Sequence, residues 1–212
     1  MPTTLILVRH GETPWNALGK IQGCTNTNLE ETGKRQAHLL ASGLSKSAQE
    51  TTTIYSSPLN RALETADIIG STLKLPVQIK EALTEINFGL WEGHSFKEVK
   101  ELYKEDYERW LTDTKEAPIS GGESLKAASL RAKDCLYQIA HAHPNETVIV
   151  VSHCGFIKTA ILGLFDLKMT MYHQLALSNC CISTVRINDD QKPILMMLND
   201  TSHLTGEKVR YI

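Results

Sequence analysis

No stretch constrains this chain more than Thr147-Val148-Ile149-Val150-Val151. A continuous β-branched run has no polar face, so as a strand it must be buried on both sides. Sheets covered on both faces are mostly parallel, and their crossovers are helices. The rest of the chain supplies that alternation. Leu5–Val8, "TTTIYSS" (51–57), "VQIK" (77–80), "CISTVRI" (181–187) and "PILMML" (193–198) read as further strands, the last two joined by the turn "NDDQKP".

Helical patterns fill the gaps. In "NLEETGKRQAHLLASGLS" Thr32 is the expected cap, and Ala37, Leu40, Ala41 and Leu44 share one stripe. In "SPLNRALETADIIGSTL" Ser57 is placed to cap, with Pro58 at the first helical position. "SFKEVKELYKEDYERWL" sets Phe96, Val99, Tyr103 and Trp110 on one face of a charged helix. A later stripe runs through Leu125, Ala128, Ala132, Cys135, Leu136 and Ile139, and "FIKTAILGLF" (156–165) follows the central strand. The expected fold is α/β, a three-layer α/β/α sandwich about a mostly parallel sheet. It forms one domain over residues 1–212, with a helical, lid-like insertion at about 93–120.

Composition removes several function classes. A net charge of -2, with no long Lys/Arg cluster, gives no field for nucleic acid. Only four apolar residues precede Arg9, too few for a signal-peptide core or a membrane span. The five cysteines (24, 135, 154, 180, 181) show no CxxC spacing, and neighbours Cys180 and Cys181 point to opposite faces of a strand-like run. Cys180 and Cys181 read as small buried or half-buried residues rather than a bridge, and a reducing cytoplasm is the expected compartment.

Ligands of open α/β sheets bind beyond the carboxyl ends of the strands. Those ends carry Arg9 and His10, then Ser56, Ser57 and Arg61, then Glu85, and lastly Ser152 and His153 ahead of Gly155. Each residue alone also reads as an ordinary surface or turn residue. Four separate strand ends decorated in this way do not. Two guanidiniums suit a tetrahedral oxyanion, and the helix start after His153 adds backbone N–H donors. A neutral imidazole is a nucleophile toward phosphorus, and a carboxyl group can protonate an alkoxide and then activate water. That chemistry asks for no metal. There is no HExxH, and His141 and His143 in "HAHP" end a helix with no carboxylate expected nearby.

Five segments carry a resemblance to a known family. "LVRHGETPWN", "GKIQGCTNTNLEETGKRQA", "SSPLNRALETA", "LTEINFGLWEG" and "VIVVSHCGFIK" together resemble the histidine phosphatase superfamily, in its phosphoglycerate mutase-like branch. The resemblance implies that His10 is the phosphorylated nucleophile and Glu85 the proton donor and acceptor. It implies that Arg9, Arg61 and His153 bind the transferring phosphoryl group, helped by Asn16 and the backbone after His153. Gln22, Gly23 and Cys154 are the further substrate-contacting positions, and no cofactor or metal is implied.

Asn26 and Asn28 stand where relatives often have Asp and Pro, and Cys154 where Gly is common. Mutases of the family carry a longer segment than Gly93–Ser120, so the chain looks closer to the phosphatases, including the α-ribazole and broad-specificity types. A cofactor-dependent phosphoglycerate mutase is the alternative, and a non-catalytic phosphate-binding module a remote one. The expected partner is a small phosphorylated metabolite, with a homodimer an allowed assembly.

Overall fold

The structure is a computed structural model that describes residues 2–47, 50–112 and 119–207. Six strands form one sheet: β1 (Thr3–Arg9), β2 (Thr51–Ser56), β3 (Val77–Ile79), β4 (Thr147–Ser152), β5 (Ile182–Ile187) and β6 (Pro193–Asp200), in the order β3-β2-β4-β1-β5-β6. The pairs β3/β2, β2/β4 and β4/β1 are parallel, whereas β5 and β6 add an antiparallel edge. The β-branched run is β4, at the centre, with β1 and β2 on either side.

Alternation along the strands divides the core. Leu5, Leu7, Val148 and Val150 face α6 (Leu125–Ala142) and α7 (Cys154–Leu164), packing with Leu136, Ile139 and Phe156. Ile6, Val8, Ile149 and Val151 face α2 (Glu31–Ser47), which follows the single-turn α1 (Pro14–Ala17), and α3 (Asn60–Leu73), packing with Leu40, Leu44 and Ile69. This is the expected three-layer arrangement. Cys180 falls in the second core and Cys181 in the first, so they do lie on opposite faces. They sit in the turn before β5, however, with Cys180 at φ +52°.

Several local expectations change. Thr32 lies inside the first turn of α2, which begins at Glu31. Ser57 does not cap α3, whose cap position is Leu59 with no side-chain bond. His143 does have a carboxylate beside it, since its Nδ1 is 3.0 Å from Glu146 Oε2. That pair still makes no metal cluster, because no group of three or more His, Cys, Asp or Glu residues is so arranged among the described residues.

The expected helix from Phe96 to Trp110 is two helices, α4 (Phe96–Leu102) and α5 (Lys104–Thr112), broken at Tyr103. The break has a packing cause. Residues fourteen apart on a straight helix lie about 21 Å apart, yet the Phe96 and Trp110 rings stack at 5.7 Å. Folding back returns Trp110 to a third apolar cluster with Trp91, Val99 and Tyr172, above the carboxyl ends of the strands. Residues 113–118 of the expected insertion lie outside the described residues.

Candidate active site

The parallel register sets the positions. Arg9 lies beside Ser152 and Ser56 beside Val151, so β1, β2 and β4 end level with one another. His10 N–H donates to Ser152 O (3.0 Å) and Ser57 N–H to Val151 O (3.0 Å), carrying that alignment one residue past each strand. Asn179 ties the next loop in, donating to His10 O (3.0 Å) and Asn16 Oδ1 (3.1 Å).

His10 Nδ1 is 2.7 Å from Gly11 O. A carbonyl only accepts, so Nδ1 carries the proton and Nε2 the lone pair. Burial, then Arg61 and Arg9, hold this imidazole well below its ordinary pKa of 6.5, so it is neutral at neutral pH. The ring of His153 lies beside it, with centroids 5.2 Å apart. Burial and Arg61 lower the His153 pKa in the same way. Its Nε2 is 2.8 Å from Ser57 Oγ, which itself accepts from Leu59 N–H at 3.3 Å. A Ser57 hydroxyl that donates to Nε2 would leave the proton on His153 Nδ1, a buried atom with no protein partner. Ser57 therefore serves the site rather than a helix cap.

Two buried guanidiniums flank the imidazoles. Arg9 Nη1 donates to Leu177 O (2.6 Å). Arg61 donates to Gly23 O (2.7 Å) and Thr25 O (2.8 Å), and burial brings its pKa down to about 10, which still leaves it charged. The Nε atoms of both are buried without a partner. Buried N–H groups that the protein leaves unsatisfied suit an anion. The loop that holds Arg61 is built on Glu92, whose carboxylate accepts from the amides of Cys24 (2.8 Å), Thr25 (2.9 Å) and Phe88 (3.2 Å). Gly23 must be glycine here, since φ is +53° and a Cβ would stand 1.9 Å from Glu92 Oε1. Asn26 and Asn28 tie the same loop to the start of α3 through Asn60.

Glu85 lies at the start of α7. Its Oε1 accepts from Ile86 N–H and Phe156 N–H (2.8 Å each), and its Oε2 from Gly155 N–H (2.9 Å). A Cβ on residue 155 would lie 2.6 Å from Oε1, so only glycine admits the carboxylate. This changes one expectation: the amides of Gly155 and Phe156 hold Glu85 rather than an anion. Cys154, the first helical residue, keeps an N–H that no turn of the helix can use.

Arg9, His10, Asn16, Gln22, Gly23, Arg61, Glu85 and Cys154 all line one cavity of about 850 Å³, with His153 packed beside His10. Asn16 and Gln22 have oxygens occupied by Thr13, Thr27 or Asn179, so their amide N–H groups are the ones left to donate. Sequence reasoning missed the outer wall, made of Lys20, Tyr107, Trp110, Lys158, Tyr172 and His173. Tyr172 and His173 come from a 3-10 segment, Met169–Gln174, that has no periodicity to detect. Lys158 did leave a signal, as the one charge in an apolar helix.

Residues 5–201 match the histidine phosphatase superfamily, branch 1. The chain belongs to that superfamily. It is 37% identical to the metal-independent phosphoserine phosphatase of Arabidopsis thaliana, over 96% of this chain and 84% of that one. Its fold matches a phosphoserine phosphatase mutant from Entamoeba histolytica, solved in complex with phosphoserine. The TM-score is 0.88 and the identity 40%, over 95% of this chain and 99% of that one. A putative α-ribazole-5'-P phosphatase from Escherichia coli also matches, with a TM-score of 0.82 and 30% identity, over 93% of this chain and 96% of that one. The protein is a phosphomonoester phosphatase of this superfamily. No helix among the described residues is long and apolar enough to cross a membrane.

Proposed function

We propose that this phosphatase hydrolyses phosphoserine and closely similar small phosphomonoesters through a phosphohistidine on His10, without a metal ion. The observation that carries the reading is the fixed tautomer of His10, with its Nε2 lone pair beside two buried arginines. Nε2 attacks phosphorus and the ester P–O bond breaks as Glu85 delivers a proton to the departing oxygen. Water then gives a proton to Glu85 while its oxygen attacks phosphorus, the P–N bond breaks, and His10 recovers its lone pair. Arg9, Arg61, His153 Nδ1–H and the Cys154 amide hold the equatorial oxygens. Asn16, Gln22 and Gly23 border the same oxygens, and α4 and α5 act as a partial lid over a single domain.

The substrate part of the reading is supported by the relatives whose names state phosphoserine. Purified protein with excess EDTA is expected to release serine and inorganic phosphate from phosphoserine at an undiminished rate. Loss of activity in EDTA, restored by Mg²⁺ or Zn²⁺, would overturn the metal-independent step. Interconversion of 3- and 2-phosphoglycerate primed by a bisphosphate, with little phosphate released, would favour a mutase instead.

A cytoplasmic location belongs to the same reading, in keeping with five free thiols. So does a homodimer through β6. That edge strand exposes Ile194 to Leu198, Met196 by 58%, and carries no charge between Lys192 and Asp200. Antiparallel two-fold pairing brings the Lys192 end of one copy to the Asp200 end of the other. Light scattering at micromolar concentration is expected to give twice the mass of one chain, and Met196→Lys one chain's mass. A monomeric wild type would refute the assembly.

A further inference from the structure

Glu85 is carried by a stretch of chain that the sheet does not hold. β3 pairs with β2 only as far as Ile79, and one 3-10 turn, Glu81–Leu83, then leads to Glu85. Side chains replace the ladder. Ser152 Oγ donates to Leu83 O (2.7 Å). Arg131, on α6, takes the carbonyls around it. Its Nη1 donates to Ala82 O (3.0 Å) and Thr84 O (2.8 Å), and its Nη2 lies 3.4 Å from Glu85 O. One guanidinium thus spans three carbonyls of the segment, a reach that suits its planar fork and not the point charge of an ammonium.

The guanidinium is itself fixed from behind. Nη2 donates to Glu123 Oε1 (2.6 Å), which also accepts from Asn87 N–H (3.0 Å) just past Glu85. Glu123 N–H returns a bond to Asn87 O (2.9 Å). The guanidinium carbon stands 5.9 Å from the centroid of the Phe156 ring, and Phe156 N–H is a donor to Glu85 Oε1. Arg131 therefore contacts both the main chain that carries Glu85 and the residue that grips its carboxylate. It lies behind the cavity wall rather than on it, so any effect on the substrate passes through its neighbours.

We propose that Arg131 is a positioning residue for proton transfer, holding residues 82–85 so that the Glu85 carboxyl meets the oxygen of the departing alcohol. This rests on the reading of Glu85 as the acid and adds what keeps that acid in place. The placement is used twice in each turnover, once when Glu85 gives its proton to the ester oxygen and once when it takes a proton from water. Arg9, Arg61 and His10 are held by other loops. Loss of Arg131 therefore falls on esters whose leaving group needs the proton.

The test measures kcat/KM for phosphoserine and for p-nitrophenyl phosphate in wild type, Arg131→Met, Glu85→Gln and the double variant. Arg131→Met is expected to lose about 10- to 100-fold on phosphoserine, the scale of a misplacement of about 1 Å, and several-fold less on p-nitrophenyl phosphate. In the Glu85→Gln background the same substitution should leave the ratio of the two esters unchanged, because no proton remains to be placed. A residue that supports only the fold would lower both esters alike. Arg131→Lys keeps the charge beside Glu123 and gives up the fork, so it should move the ratio in the same direction by about threefold or more. It decides the matter if Arg131→Met does not fold. An unmoved ratio in Arg131→Met or, failing that variant, in Arg131→Lys would overturn the proposal, as would a further shift of the ratio in the double variant. If Glu85→Gln itself loses equally on the two esters, the acid reading fails and this proposal with it. If Glu85→Gln moves the ratio and the Arg131 variants do not, only the positioning role fails.

Discussion

Replacing His10 with alanine is expected to reduce kcat by about 10⁴-fold or more, in line with the loss of other enzyme nucleophiles. Nothing nearby can take its place. His153 is the adjacent imidazole, but its Nε2 is engaged by Ser57 at 2.8 Å. Rapid quenching with phosphoserine should trap an acid-labile, base-stable phosphoryl group on the wild type and none on His10→Ala. A variant that keeps more than a tenth of the activity, or still labels, would remove His10 from the nucleophile role.

The same substitution changes how stability depends on pH, and the sign follows from burial. Folded His10 and His153 have pKa values well below 6.5, whereas the unfolded chain protonates both near that value. As pH falls below about 6.5, the unfolded state binds more protons, so the wild type loses stability. His10→Ala removes one of those two groups. Its urea midpoint should therefore fall less than that of the wild type between pH 7.5 and pH 5, whatever the offset at pH 7.5. Parallel declines would mean that His10 is not buried neutral.

How far these features could be read in advance depended on how local their causes are. The strands and their burial were legible because a β-branched run such as 147–151 admits one environment, and the Leu40, Ala41, Leu44 stripe admits one face. The site residues at the ends of β1, β2 and β4 followed from the parallel sheet, which brings successive strand ends to one edge. Ser57 was assigned to a cap because Ser-Pro before a helix suits that role locally; His153, 96 residues away, claims it. The break at Tyr103 has no proline or glycine to announce it and arises from the stacking of Trp110 on Phe96. The outer wall was illegible for the same reason, since Lys158, Trp110 and His173 come from three elements that meet only in the folded chain.

Glu85 supplies the other large effect, and its hydrogen bonds determine how the experiment must be read. A glutamine at 85 can accept from Ile86 and Phe156 through its oxygen, as Oε1 does now. Its NH2 group would then face the Gly155 N–H, donor against donor, where Oε2 now accepts. Glu85→Gln is therefore expected to lose about 1–3 kcal/mol of stability and some activity on every substrate. That uniform loss cancels in a ratio. Oε2, with one N–H bond against two on Oε1, has the freer lone pair, so in the proposed mechanism it is the oxygen assigned to carry the transferred proton. Without that proton a serine alkoxide is a poor leaving group, whereas p-nitrophenolate departs unaided. The variant should thus lose about 10²- to 10⁴-fold on phosphoserine, with a loss on p-nitrophenyl phosphate at least tenfold smaller. Equal losses on the two esters would take Glu85 out of the acid role and leave it as the strut that fixes the start of α7.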